Sequence, residues 1–294
     1  MNPWFDNRNN QKKINRNIRR KSLAGALFLG FLRNLKVTTW LIAINILFFF
    51  LTLFLGNFIN YLALQPKALF ENYYAWTLLT SMFMHAGLAH LFFNMFSLYF
   101  IGNLVETIIG RKRFLYFYLI SGLAAGLFFA ALAYFFGYGI GMKIFGSPDI
   151  IALGASGAIF GLLGLLAMIT PRKKVYLIAG PLVAILIQAL VSSIIELSSV
   201  LMLLNIIVTI YFLASIFAIF SSSSQTRKLA LPLELEFWLL PFIAIIPLIV
   251  IGLFVELPIG NMAHLGGLIA GLVYGAYLRK KYSRKIVLLN RYLR

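Results

Sequence analysis

Apolar residues along this 294-residue chain form long runs, which are separated by short clusters of basic residues. A helix needs about 20 apolar residues to cross the hydrocarbon core of a bilayer. By this criterion we predict transmembrane segments at residues 39–59, 84–104, 114–136, 150–170, 177–197, 200–220, 237–257 and 259–278. The pattern therefore predicts an all-α polytopic membrane protein with about eight transmembrane helices.

The basic residues lie almost entirely on one side of this predicted topology. If the N-terminus is cytoplasmic, 24 of the 26 lysines and arginines lie on the cytoplasmic side, and only Lys67 and Lys143 do not. Cytoplasmic loops of membrane proteins carry such an excess, so we predict an even number of spans and cytoplasmic N- and C-termini. Three regions follow: a basic N-terminal tail with a candidate interfacial helix (1–37), a transmembrane domain (38–278) and a basic C-terminal tail (279–294).

Composition narrows the class of protein further. Of all residues, 61% are hydrophobic and only 12% are charged, whereas a soluble domain carries roughly 25% charged residues. The net charge of +18 is explained by topology, so we expect the lipid bilayer as a partner and no nucleic acid. The chain has no cysteine, which excludes disulfide and thiolate chemistry.

Three polar side chains share one predicted depth in the membrane. His90, Ser156 and His264 each lie about five or six residues inside a segment that enters from the outer side, roughly 8–10 Å below the boundary. Asn94 follows His90 by four residues and so lies on the same helix face. Ionisable residues inside a bilayer are costly, and they usually mark a functional site.

Small residues indicate which of these segments can approach each other. The fourth segment contains a GxxxG pattern, formed by Gly157 and Gly161. The eighth repeats glycine on the face of His264, at Gly267, Gly271 and Gly275. Because glycine stripes allow close packing of membrane helices, the hydroxyl of Ser156 and the imidazole of His264 can come within hydrogen-bond distance.

This set of groups suits nucleophilic catalysis. Imidazole is the usual base that takes the proton of a serine hydroxyl. The backbone N–H groups of Ser156 and Gly157, the Asn94 amide and a His90 N–H can stabilise an oxyanion. Since Asp149 is predicted near the membrane surface, we expect a Ser–His dyad rather than a triad.

Each element also has an alternative interpretation. The sequence GASG (residues 154–157) alone is more often a packing motif, His264 can line a proton path, and Asn94 can form an interhelical hydrogen bond. His85 and His90 are also candidate metal ligands, but they lie about 140° apart on a helix and no HExxH motif accompanies them. We therefore expect no metal and no cofactor.

Three motifs, in order, resemble the signatures of rhomboid intramembrane serine proteases: HAGLAHLFFN (85–94), GASGAIFG (154–161) and NMAHLGGLIAG (261–271). The resemblance implies a six-helix core, with Ser156 as nucleophile, His264 as general base, and His90 and Asn94 as oxyanion donors with the Ser156 N–H. It also implies supporting roles, which fall to His85, Gly154, Phe160, Gly267 and Glu106. The implied activity is endoproteolysis of transmembrane protein substrates near the outer face of the membrane.

The chain departs from the family pattern in three ways. Thr77 follows Trp76 where the family often has arginine, and Phe160 replaces a tyrosine but keeps a ring to stack on the histidine. An extra pair of spans lies between Pro171 and Leu257. Two other classes remain: a catalytically silent rhomboid-like protein that binds client transmembrane segments, and a transporter, against which the lack of mid-span carboxylates argues. We expect a multi-pass protein of a prokaryotic plasma membrane.

Overall fold

Helices make up most of this computed structural model, which describes residues 35–178, 198–219, 221–252 and 260–292 and isolated positions between 180 and 195. The helices are α1 (Val37–Leu55), α2 (Pro66–Glu71), α3 (Thr77–Thr80), α4 (Leu88–Ser97), α5 (Asn103–Ile109), α6 (Arg111–Phe136), α7 (Gly141–Phe145), α8 (Ser156–Ile169), α9 (Ser198–Ile219), α10 (Ser224–Lys228), α11 (Leu240–Gly252), α12 (Asn261–Lys281) and α13 (Ser283–Tyr292). A π-helical turn at Leu98–Gly102 joins α4 to α5, and 3-10 turns lie at Gly56–Tyr61 and Ser81–Phe83.

Four helices of the described chain are long and apolar enough to cross a bilayer: Val37–Phe54, Leu88–Ile109, Arg111–Phe136 and Ser198–Ile219. They correspond to the first, second, third and sixth predicted segments. Large apolar side chains such as Phe54 and Phe217 are 87% and 76% exposed on them, as lipid-facing residues are. The total of eight spans and the side of the termini stay predictions. Most of the fifth segment, the end of the seventh and the candidate N-terminal interfacial helix lie outside the described residues.

The prediction of an all-α chain is wrong in one place. Strand β1 (Lys174–Ile178) pairs antiparallel with β2 (Pro232–Glu236), with Lys174 opposite Glu236 and Ile178 opposite Pro232. Of the two strand sequences, PLELE alternates apolar and polar residues over positions 233–236, whereas KVYLI is apolar after Lys174. Residues 177 and 178, which we assigned to the fifth transmembrane segment, therefore belong to a small sheet.

Several predicted segments begin too early. The fourth was predicted from residue 150, but α8 begins at Ser156. The preceding loop is held by main-chain hydrogen bonds instead of helical ones: Ala152 exchanges two with Leu64 (2.8 and 3.0 Å), and the Gly154 N–H donates to the Ser81 carbonyl (2.8 Å). Gly154 has φ +123°, a conformation that favours glycine and excludes a helix at this point.

Helix α8 lies at the centre of the bundle. Other elements cover its apolar side chains on all sides of the helix, and Leu162, Leu165 and Leu166 have no exposed surface. Helices α6 and α12 pack along it, with Phe114 and Tyr118 of α6 fully buried in the same core. A short helix that is apolar all round is stable only in such an enclosed position. The end of α8 at Ile169 and the end of α12 at Lys281 lie near the basic residues, and we call this region the basic end of the bundle.

Glu106 connects α5 to the start of α1 through hydrogen bonds. Its carboxylate accepts hydrogen bonds from the N–H groups of Val37 and Thr38 (both 2.9 Å) and from the Thr38 hydroxyl (2.7 Å), and it is only 3% exposed. The first N–H groups of a helix have no partner within the helix, and a carboxylate there is also favoured by the helix dipole. Glu106 thus joins two segments distant in sequence.

Replacing Glu106 with alanine is expected to lower the free energy of unfolding by about 1–3 kcal/mol for each buried donor left without a partner. The measurement is the unfolding midpoint of the purified protein in detergent. Glu71→Ala, which removes an exposed carboxylate from α2, is the control and should leave the midpoint unchanged. Equal midpoints for both variants would contradict this role of Glu106.

Candidate active site

A hydrogen bond joins Ser156 to His264. The Ser156 hydroxyl oxygen lies 2.8 Å from Nε2 of the imidazole, and 108 residues separate the two positions in the sequence. His264 is 8% exposed, whereas Ser156 is half-buried. With Nε2 as acceptor, the hydroxyl proton points at a base, which is the arrangement a nucleophilic serine requires.

The three polar residues of the predicted site all lie in the first turn of a helix. Ser156 begins α8, His90 is two residues past the start of α4, and His264 is three residues past the start of α12. The expectation that Ser156 lies six residues inside its helix is wrong, because the Gly154 loop replaces the first turns of that segment. The three helix starts nevertheless converge.

Glycines bring α8 and α12 into backbone contact. A Cβ atom at Gly267 would overlap the Gly157 carbonyl oxygen, and one at Gly271 would overlap the Gly161 carbonyl oxygen. The predicted glycine face of α12 thus meets the predicted GxxxG face of α8. This close approach is what allows a serine on one helix to reach a histidine on the other.

Phe160 stacks on the His264 ring. The ring centroids lie 4.3 Å apart and the planes are inclined by only 12°. Phe160 is four residues after Ser156 and so lies on the same side of α8. Within the described chain, Nδ1 of His264 has no hydrogen-bond partner. In a triad, a carboxylate bonded to Nδ1 orients the imidazole. Here the stacked Phe160 ring restrains the orientation of the imidazole instead.

Main-chain donors are available beside Ser156. The Ile159 N–H donates to the Ala155 carbonyl (3.1 Å) at the start of the α8 ladder, so the N–H groups of Ser156 and Gly157 precede that ladder. Such N–H groups at a helix start favour an anion, both by hydrogen bonding and through the helix dipole. They are suited to an oxyanion formed on a carbonyl attacked by Ser156.

His90 and Asn94 lie against the loop that leads to Ser156. A Cβ atom at Gly154 would be 2.8 Å from Nε2 of His90 and 3.7 Å from Nδ2 of Asn94. One amide hydrogen of Asn94 is used within α4, where it bonds the His90 carbonyl (3.0 Å). An amide has two N–H donors, so the second can serve a ligand. A Cβ atom at position 154 would therefore crowd the His90 ring, whereas it would be in ordinary contact with Asn94.

His85 is buried next to this group. It is 2% exposed, and its ring lies edge-on to that of His90 at 5.1 Å. It contacts the oxyanion candidate His90 and so is placed to support that ring. Among the described residues there is no cluster of three or more histidine, aspartate or glutamate side chains that could hold a metal ion.

Sequence reasoning missed the group that positions the Gly154 loop. The Ser81 carbonyl accepts the Gly154 N–H (2.8 Å), and the Met82 side chain fills the space beside Gly122. Neither residue carries a motif, and a main-chain acceptor leaves no signal in a sequence. Asp149, the nearest acid before Ser156, instead pairs with Lys67 at 3.7 Å on the surface.

A hydrogen-bonded Ser–His pair thus lies at the converging starts of helices in a multi-pass membrane protein. The family model described as "Rhomboid domain" matches residues 72–217 and 208–281, which together exceed half of the chain. The chain therefore belongs to the rhomboid family.

Individual relatives match shorter stretches. The chain is 37% identical over 142 residues to Rhomboid protease GluP of Bacillus subtilis, covering 46% of this chain and 25% of that protein. It is 34% identical over 111 residues to Inactive RHOMBOID-like protein 8 of Arabidopsis thaliana (38% and 27%). It is 36% identical over 100 residues to RHOMBOID-like protein 2 of that plant (34% and 27%). The matches thus span about a quarter of each relative, and the family includes both a named protease and a named inactive protein.

The backbone contact between α8 and α12 leads to a prediction for Gly267→Ala. The added methyl group must displace the Gly157 carbonyl, at a cost of about 1–3 kcal/mol in the free energy of unfolding. We also expect loss of the Ser156–His264 hydrogen bond, and therefore of any reaction of Ser156 with a fluorophosphonate. Ala276→Val, which adds volume on the exposed side of α12, is the matched control. Normal labelling and stability of Gly267→Ala would contradict the close packing.

Proposed function

We propose that the protein is an intramembrane serine endopeptidase that cleaves transmembrane protein substrates. The observation that carries the proposal is the 2.8 Å contact between the Ser156 hydroxyl and Nε2 of His264. Membership of the rhomboid family and the similarity to GluP support it. In this proposal the cleaved bond lies near the outer face of a prokaryotic plasma membrane.

The first half of the proposed reaction is acyl transfer. His264 takes the hydroxyl proton while Ser156 Oγ attacks the carbonyl carbon of the substrate. The resulting oxyanion accepts hydrogen bonds from the N–H groups of Ser156 and Gly157 and from His90 and Asn94. Protonated His264 then gives its proton to the leaving amine, so the peptide C–N bond breaks and an ester to Ser156 remains.

The second half is hydrolysis of that ester. His264 takes a proton from water, the hydroxide attacks the ester carbonyl, and the proton returns to Ser156 Oγ as the new carboxyl terminus leaves. Ser156 and His90 are half-buried rather than sealed, which is compatible with a supply of water to this depth. No metal or cofactor takes part in this scheme.

A catalytically silent role is the second candidate, because one relative is named inactive. In that case the protein binds client transmembrane segments, and the Ser–His contact only packs two helices. The presence of Ser156, His264 and the stacked Phe160 in one geometry favours the protease. The two functions differ in whether Ser156 reacts.

Labelling with a fluorophosphonate tests that difference in the detergent-purified protein. We expect the wild type to be labelled, and Ser156→Ala and His264→Ala to remain unlabelled, because the first lacks the nucleophile and the second lacks its base. Phe160→Tyr keeps the stacked ring and is the matched control, expected to be labelled. Folded wild-type protein that neither labels nor cleaves a transmembrane test substrate would favour the silent role.

Loss of an oxyanion donor should slow the cleavage of a substrate and still leave Ser156 able to react with a fluorophosphonate. Asn94→Ala removes one donor, and loss of one such donor lowers the rate of acyl transfer by about 10²–10³-fold. Ser156 and His264 remain paired, so slow fluorophosphonate labelling should persist. The measurement is the rate of cleavage of a transmembrane substrate at saturating concentration. Asn103→Ala is the control, since the half-buried Asn103 lies farther along the same span and its side-chain amide donates to the Tyr99 carbonyl (2.6 Å); this variant should cleave normally.

A further inference from the structure

The C-terminal helix α13 lies flat across the basic end of the bundle. It begins at Ser283, and only Tyr282 separates it from the end of α12 at Lys281. Near its other end, the Asn290 amide donates to the carbonyl of Ile169, the last residue of α8, at 2.8 Å. The junction with α12 at Tyr282 and the Asn290 hydrogen bond, eight residues apart, hold α13 at the level where α8 and α12 end.

The inner and outer faces of α13 differ. Ile286, Leu289 and Asn290 are half-buried against the bundle. The outer face combines two arginines, Arg284 and Arg291, with two apolar side chains, Val287 and Leu288, which are 53% and 62% exposed. Aliphatic side chains beside arginine and lysine on one exposed helix face are typical of helices that lie in a membrane interface.

These outer residues form one open surface of the helix, which consists of Ser283, Arg284, Val287, Leu288 and Arg291. The two arginines are seven residues apart, which places them on one side of the helix and about 10 Å apart along its axis. Guanidinium groups bind phosphate oxygens in a fork geometry, and the apolar pair between them offers contact to acyl chains.

The surrounding charge favours an anionic partner. Tyr282, at the junction of α12 and α13, has Arg113, Lys281 and Lys285 within 5.4–5.9 Å of its ring centre. Among the described residues, neither Arg284 nor Arg291 forms an ion pair. From residue 257 to the C-terminus the sequence contains no aspartate or glutamate. This concentration of cations repels the basic N-terminal tail and a second copy of the same face, but attracts an anionic lipid surface.

We propose that α13 is an interfacial anchor whose outer face binds the phosphate headgroups of anionic phospholipids, through Arg284 and Arg291 with Val287 and Leu288 inserted beside them. Asn290 connects this anchor to the end of the helix that begins with Ser156. The proposal concerns the membrane surface at the basic end, and it holds whether or not Ser156 is reactive.

The test uses the absence of cysteine from the chain. Leu288→Cys in the full-length protein carries a single environment-sensitive fluorophore, and the protein is placed in nanodiscs of phosphatidylcholine with or without about 30% phosphatidylglycerol. We expect nitroxide groups on the lipid to quench this fluorophore roughly two-fold or more strongly in the anionic nanodiscs than in the neutral ones, and aqueous iodide to quench it less. Raising the salt from about 0.05 to 0.5 M should reduce the difference.

Three double variants separate a specific site from general electrostatic attraction. Arg284→Gln with Arg291→Gln should abolish the effect of phosphatidylglycerol, whereas Arg284→Lys with Arg291→Lys should retain most of it. Arg227→Gln with Lys228→Gln removes the same charge from α10, where both residues are exposed, and should have no effect. The proposal is overturned if the fluorophore stays accessible to iodide in both lipid mixtures, if the two glutamine pairs behave alike, or if labelled copies show energy transfer to each other.

Discussion

The contact between the glycine faces of α8 and α12 is the constraint on which the candidate site depends. Main-chain atoms of one helix occupy the space that side chains would take on the other, at Gly267 and Gly271. At this separation the Ser156 hydroxyl and the His264 imidazole meet at 2.8 Å. Helices in lipid gain little from the hydrophobic effect, so van der Waals packing of small residues must hold them together. Packing and chemistry therefore use the same residues, and an added methyl group at this contact affects both.

This constraint explains why the sequence predicts the site better than the fold. Glycine spacing, the depth of polar residues and the order of the three motifs all bring Ser156, His264, His90 and Asn94 together. The start of α8 could not be predicted, because residues 150–153 are as apolar as the helix that follows. Only their main-chain bonds to Leu64 and Ser81 show that they form a loop. In the two-stranded sheet, the apolar residues of β1 continue into the apolar run that follows them with no boundary in hydropathy, so no strand was predicted there.

Long-range hydrogen bonds from main-chain groups and single polar side chains are the other feature of the fold that could not be predicted from the sequence. Glu106 at the start of α1, the Ser81 carbonyl at Gly154 and Asn290 at the end of α8 each connect elements far apart in the chain. All three satisfy polar groups at helix ends or loops, which cannot find water inside a membrane. Their partners depend on how helices pack in three dimensions, and local periodicity contains no information about this.

These attachments also divide the molecule into two ends with different physical properties. At one end, the starts of α4, α8 and α12 converge, with their N–H groups and polar side chains around Ser156. At the other, the end of α8 is bonded by Asn290 of a basic helix. Helix α8 extends between these two ends, from Ser156 to Ile169. In the proposal for α13, the helix that contacts lipid headgroups is therefore hydrogen-bonded to the last residue of the helix that begins with Ser156.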